Sequence, residues 1–90
     1  LEAIGDHITQ TLTGSVYTPT VPSDADAIAV EVQDVDVRYR IDGGTPTATD
    51  GFKLAAGRSD VIPVRNSKGI KFLGSGATLQ IQFLRLVRAV

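Results

Sequence analysis

The stretch Ala27-Ile28-Ala29-Val30-Glu31-Val32-Gln33-Asp34-Val35-Asp36-Val37-Arg38-Tyr39-Arg40-Ile41 decides the fold class. Apolar residues recur along it at every second position, the repeat of a half-buried strand and not of a helix. Ile28, Val30 and Val32 share a face on the first arm, and Val35, Val37, Tyr39 and Ile41 share one on the second. A two-residue connection at Gln33-Asp34 predicts a β-hairpin with Val32 opposite Val35, Val30 opposite Val37 and Ile28 opposite Tyr39. A one-residue slip would divide these side chains between two faces. Gln33-Asp34 is a poor pair for the primed turns that hairpins favour.

Reading outward gives the same grammar. Towards the N-terminus, His7 to Leu12 alternates, with Ile8, Gln10 and Leu12 on one face and Thr9 and Thr11 on the other; Gly14-Ser15 ends the run. Thr18 to Ser23 is extended or looped, because Pro19 and Pro22 have no N–H to give a ladder. Towards the C-terminus, Asp42-Gly43-Gly44-Thr45-Pro46 is a turn, its glycines open to positive φ and its proline closed to pairing. Gly51 to Ala55 reads as a short strand, Gly57-Arg58-Ser59-Asp60 as a turn, and Val61 to Arg65 as a strand held to an edge or bend by Pro63. Asn66-Ser67-Lys68-Gly69 turns into Ile70-Lys71-Phe72, and Gly74-Ser75-Gly76 reads as a hairpin turn into the last strand. There Leu79, Ile81 and Phe83 oppose Gln80 and Gln82, but after Phe83 the pattern breaks, with Leu84 and Leu86 on the polar side and Arg85 on the apolar one. Either a bulge resets the last strand or the tail leaves the domain.

No window keeps a helical period past the glycines. The reading is all-β: a small antiparallel β-sandwich or jelly-roll-like barrel of short strands. Ninety residues make one domain, residues 1–90, with 1–6 and 84–90 as extended arms.

Composition narrows the function classes. Hydrophobic residues are 42% and charged residues 21%, ordinary for a folded chain. No cysteine means no disulfide, thiolate metal site or thiol catalysis, and a single histidine excludes a multi-histidine metal site within one chain. A net charge of -1 removes the usual electrostatic case for nucleic acid, and no apolar run is long enough for a membrane-spanning helix. No secretory signal pattern opens the chain, and its start at Leu1 instead of methionine implies upstream residues or processing. A domain this small has a thin stability margin, so self-association or docking on a larger assembly is the expected support. Charge is uneven along the chain: residues 1–36 hold seven carboxylates and no lysine or arginine, and residues 37–90 hold nine cations and three carboxylates. The halves either neutralise each other within one sandwich or complement each other between copies.

Few constellations could carry chemistry. His7 has no nucleophile motif to serve, and its neighbour Asp6 would point away on a strand; it reads as a surface histidine. Asp24 with Asp26, and Asp34 with Asp36, could each present two carboxylates to a cation, but lack the spacing of a calcium loop and read as solvated acids that discourage edge pairing. Gly74-Ser75-Gly76 lacks the helix and lysine of a phosphate cradle. Lys53, Arg58, Arg65, Lys68 and Lys71 make the middle mildly basic, but the neighbouring Phe52 and Phe72 read as core and not as stacking platforms. The chain is therefore read as a non-enzyme without cofactor or metal.

One segment carries a resemblance. Val37-Arg38-Tyr39-Arg40-Ile41-Asp42-Gly43-Gly44-Thr45-Pro46-Thr47, followed by Gly51, Leu54 and Gly57, resembles a pattern in small structural proteins of tailed bacteriophages. There an arginine-rich strand enters a D-G-x-x-P-T loop, a short G-x-x-L-x-x-G strand follows, and strands like Ile70 to Phe72 and Ala77 to Phe83 close the chain. The resemblance spans roughly residues 26–84 and rests on turn chemistry and one arginine pair, not on a catalytic signature. It implies a β-sandwich component of the virion, present in many copies and assembled in the host cytoplasm, with other virion proteins as partners. The first expectation is a capsid decoration (cement) protein bound to the major capsid protein. The alternatives are a neck, tail, baseplate or fibre adaptor, and a receptor- or carbohydrate-binding module, for which only Tyr17 and Tyr39 could offer an exposed tyrosine ring. Homo-oligomerisation is expected, without nucleic acid or membrane. The expected contacts are Leu1, Ile4 and Ile8 at the N-terminus and Leu84, Leu86, Val87 and Val90 at the C-terminus. Arg38 and Arg40 are expected to lock the turn on Asp42 or Asp50.

Overall fold

The alternating runs become seven strands in a computed structural model that describes residues 1–65 and 69–87. They are β1 (Glu2–Thr13), β2 (Ala27–Gln33), β3 (Val37–Arg40), β4 (Phe52–Leu54), β5 (Ser59–Pro63), β6 (Lys71–Leu73) and β7 (Ser75–Arg85). Every pairing between these strands is antiparallel. One sheet has four strands in the order β1-β7-β2-β5 and the other three, in the order β4-β3-β6. The chain is an all-β sandwich. Twelve residues of β1 at about 3.3 Å each span roughly 40 Å, close to the molecule's long dimension of 44 Å.

The core lies between the sheets. Ile28, Val30 and Val32 from β2, Leu79, Ile81 and Phe83 from β7, and Leu12 from β1 meet Val37 and Tyr39 from β3, Leu54 from β4 and Phe72 from β6. Among the described residues no charged or polar residue is buried, so apolar burial and ladder hydrogen bonds hold the fold.

The hairpin expected across Gln33-Asp34 does not form. β2 pairs with β5 and β7, whereas β3 pairs with β4 and β6. The chain crosses there from one sheet to the other. Val35 N donates to Gln33 O at 3.0 Å around Asp34, whose φ is +78°. That is a three-residue turn in a left-handed conformation rare for a residue with a Cβ. Val35 is spent in the corner and exposed, while Val32 and Val37 are buried on either side of the core. Val35 apart, alternation identified the inward-facing residues of β2 and β3; it could not say whether the two inward faces sit side by side or face to face.

Gly74-Ser75-Gly76 is likewise no hairpin turn, because β6 and β7 lie in different sheets. A Cβ on Gly74 would stand 3.2 Å from both Leu12 Cδ1 and Val37 Cγ2. Close approach of the crossing backbone to the core is what this glycine provides.

The bulge or departing tail expected after Phe83 is not there: Leu84 and Arg85 stay in register, and the β1–β7 ladder shifts at two other places, one of them where Gly76 and Ala77 of β7 face Leu12 alone. At the other, Ile4 pairs with Phe83 and Ile8 with Ile81, so β1 has three residues where β7 has one, Gln82. Gln82 Nε2 donates to Ile4 O at 3.0 Å and to Gly5 O at 3.3 Å, giving carbonyls in the bulged segment a side-chain partner. β7 meanwhile pairs with β2 in unbroken register from Gln33↔Thr78 to Ala27↔Leu84.

Phe52 also departs from expectation. It is 60% exposed. It shares the inward parity of Leu54 and tilts against Tyr39 at 5.5 Å, but β4 is an edge strand, and at that position the opposite sheet does not cover the ring. The turn expected at 57–60 is shorter, since Ser59 and Asp60 already belong to β5. β5 is the edge strand that Pro63 required. Residues 66–68 of the expected turn before β6 lie outside the described residues.

Candidate functional site

The register brings the two ends of the chain together. Glu2 pairs with Arg85, so Leu1 and Leu86 sit at the same end of the long β1–β7 ladder. Leu1 is 62% exposed, Leu86 52% and Val87 67%. Three large apolar residues are thus displayed where the ladder ends.

Charged residues frame this tip. Arg85 Nε donates to Glu2 Oε1, and Arg85 Nη1 reaches Asp24 Oδ2 at 3.5 Å. Glu2 holds the guanidinium above the usual arginine range, with Asp24 assisting. Asp26 is the main fastener. Its carboxylate, only 13% exposed, accepts from Arg65 Nη1 at 2.9 Å and from the backbone N–H of Leu86 at 2.7 Å. Its own N–H donates to Leu84 O, and its carbonyl accepts from Val64 N. One residue therefore ties the start of β2, the exit of β5 and the exit of β7. An open cleft of about 520 Å³ lies among Glu2, Asp24, Asp26, Arg65, Arg85 and Leu86.

The other expected contact residues lie elsewhere. Ile4 and Ile8 are half-buried and pack against the core. Leu84 is in the ladder between Ala3 and Ala27. Residues 2–6 and 84–85, expected as arms, are strand. Val90 lies outside the described residues. The displayed apolar tip is Leu1, Leu86 and Val87.

The second feature is the loop after β3. Arg40 Nε donates to Asp42 Oδ1 at 3.0 Å, its Nη2 to Asp42 Oδ2 at 2.5 Å and its Nη1 to Asp50 Oδ2 at 3.3 Å. Arg38 Nη1 donates to Gly51 O at 3.0 Å. Gly44 N donates to Asp42 Oδ1 at 3.0 Å. The Arg40 fork, helped by the Gly44 N–H, lowers the Asp42 carboxyl to about 2. A Cβ on Gly44 would stand 2.5 Å from Arg40 Cζ, so a larger residue there would push the guanidinium off its carboxylates. Asp42 and Asp50 take up the Arg40 fork, an arrangement that fixes the loop.

The remaining candidates are occupied by ordinary partners. His7 Nε2 donates to Gln80 Oε1 at 2.6 Å, and Thr9 Oγ1 donates to the same oxygen at 2.9 Å. Asp24 and Asp26 face arginines, and Asp36 faces Lys53 at 3.2 Å and the Ala56 N–H at 2.8 Å. The Ala56 N–H, then Lys53, hold Asp36 below the usual carboxylate range. Among the described residues no three acidic, histidine or cysteine side chains gather as metal ligands. Tyr39 is buried, and Tyr17 stacks on Phe72 at 6.4 Å. Sequence reading missed the Asp26 fastener. The signal was present as acids just before β2 and arginines after β5 and in β7, but sequence order does not show which ends meet.

No protein-family model, curated protein or solved structure matches the chain.

Proposed function

We propose that the chain is a structural component of a tailed-phage virion, acting as a capsid decoration protein on the head shell. The observation that carries this is the exposed apolar tip of Leu1, Leu86 and Val87 beside the charged cleft of Glu2, Asp24, Asp26, Arg65 and Arg85. Large apolar side chains left exposed next to charged groups mark a protein docking surface. The resemblance across residues 26–84 supports the same reading. The mechanism is mechanical: the tip seats between shell subunits, burying apolar surface and bracing the shell.

Co-sedimentation of the purified chain with empty head shells of its source phage tests this. The intact chain should bind shells to saturation. Leu86→Glu should bind at least tenfold more weakly at an unchanged melting temperature, since Leu86 is half out of the fold already. Failure of the intact chain to bind shells overturns the decoration role, and binding to purified tails instead would move the chain to the neck or tail. Specific binding on a glycan array would replace the reading with a receptor-binding module.

A further inference from the structure

The topology sorts charge by sheet. The strands of the four-stranded sheet carry Glu2, Asp6, Glu31 and Asp60 against one cation, Arg85, which Glu2 and Asp24 engage. The strands of the three-stranded sheet carry Arg38, Arg40, Lys53 and Lys71 and no carboxylate. These four cations alternate with buried Val37, Tyr39, Leu54 and Phe72, so they all stand on the outer face. Arg38 lies directly across from Lys53, and Arg40 directly across from Lys71. Like charges facing across a ladder destabilise a sheet. Asp36, Asp42 and Asp50 relieve Lys53 and Arg40. Among the described residues, Lys71 has no carboxylate partner.

The outer face of the four-stranded sheet is different. Glu31 is flanked across the ladders by Gln80 and Ser59, and Gln82, Ala29 and Val61 form the next row. Glu31 is the one full charge amid these two rows, and its bond is with the neutral Gln33, at 3.0 Å. Asp60 shares the inward parity of Val30 at the sheet edge, so Glu31 is the carboxylate that the ladder register sets on this outer face, opposite in sign to the cations on the other side of the molecule.

We infer that a second copy of this chain docks its acidic sheet on the basic sheet of the first, a head-to-tail contact that brings Glu31 against the Lys71 and Arg38 surface. The complement is carried by the chain itself, which is why a second copy is the occupant. A polyanion such as nucleic acid would also meet the three aspartates that border the basic face. Three strands about 4.8 Å apart and three or four residues long present roughly 200 Å², far below the ~800 Å² per partner of a stable complex. The contact is therefore weak between free molecules and becomes effective where copies are held close together. This inference does not depend on the head shell as the binding partner.

Amide NMR spectra of the full chain, from dilute solution to about 2 mM at low salt, test it. Concentration-dependent shifts should appear on both sheets, around Lys71 and Arg38 and around Glu31 and Gln80. They should vanish in about 0.5 M NaCl, where surface charges are screened. Lys71→Glu alone and Glu31→Lys alone should each weaken association at least tenfold, and an equimolar mixture of the two should restore it. Absence of concentration dependence, shifts confined to one sheet, or a mixture no better than the separate variants would each overturn the inference. Thermal melts of both variants, at exposed or half-exposed positions, establish that each is folded.

Discussion

Gly74→Ala distinguishes a crossing between sheets from a hairpin turn. In an exposed turn with ordinary φ the added methyl would be harmless, and by restricting the unfolded chain could stabilise by about 0.4–1 kcal/mol. In the sandwich the methyl meets Leu12 Cδ1 and Val37 Cγ2 at 3.2 Å each, several tenths of an ångström inside comfortable carbon–carbon contact. Leu12 is held in β1 and Val37 in β3, both essentially buried, so neither retreats without disturbing a ladder. Overpacking of this kind costs about 1–3 kcal/mol. With the unfolded-state gain subtracted, a net loss of about 1–2 kcal/mol is expected. For a domain of this size each kcal/mol lowers Tm by about 4–8 °C. Urea melts of the single variant, of Val37→Ala and of the double variant complete the test. Shrinking Val37 opens the space the new methyl needs, so the double variant should be more stable than the sum of the two losses by at least about 0.5 kcal/mol. A neutral or stabilising Gly74→Ala, or strict additivity, would refute the close approach of backbone and core at the crossing.

Other perturbations probe the remaining devices. The Asp42 carboxyl should titrate near 2 by NMR instead of at the ordinary 3.8; its folded pKa is the lower one, so the loop gains from the Arg40 pair above about pH 4 and loses it as pH falls towards 2, and Arg40→Gln should return the midpoint towards the ordinary value. Asp34→Val should cost roughly 1–2 kcal/mol in denaturant melts, because a β-branched side chain must enter positive φ, whereas Asp34→Gly should not. Gln82→Leu should cost about 1 kcal/mol, since the Ile4 and Gly5 carbonyls lose a hydrogen-bond partner, and amide exchange should quicken around the β1 bulge first.

What the sequence could show was which side chains point inward. Ile28, Val30, Val32, Leu79, Ile81 and Phe83 alternate, and all are buried, because period two is a local property of extended chain. Pairing is not local. The same alternation fits a hairpin across Gln33-Asp34 and a crossing between sheets, and the difference lies in the strained turn at Asp34 and in partners tens of residues away. Phe52 failed for a related reason: parity gives the direction of a side chain, whereas coverage depends on what stands opposite. The alternation breaks after Phe83, which suggests a bulge or a departing tail, yet the ladder holds its register there and shifts at residues 5–7 of β1 and residues 76–77 of β7. Of the exposed apolar tip, the apolar termini were legible and their juxtaposition was not. Asp26 shows why. A carboxylate that reads as half of a solvated pair becomes a three-strand fastener only when Arg65 and Leu86 arrive from the far half of the chain.

Charge sorting follows from that same folding and cannot be assigned to stability. Pairing the acidic and basic halves inside one sandwich would explain Asp26 with Arg65, Glu2 with Arg85 and Asp36 with Lys53. It does not explain why the short sheet sets Arg38 opposite Lys53 and Arg40 opposite Lys71. A domain of 90 residues has little stability to give away, and an uncharged residue at Lys53 or Lys71 would remove one like-charge pair. Threonine suits a half-exposed strand position at least as well as lysine. Lys71→Thr should therefore hold or raise the melting temperature of the isolated chain while weakening the copy-to-copy contact. That opposite movement of stability and association is the mark of a surface kept for a partner. A fall in melting temperature would instead return Lys71 to the role of a structural residue.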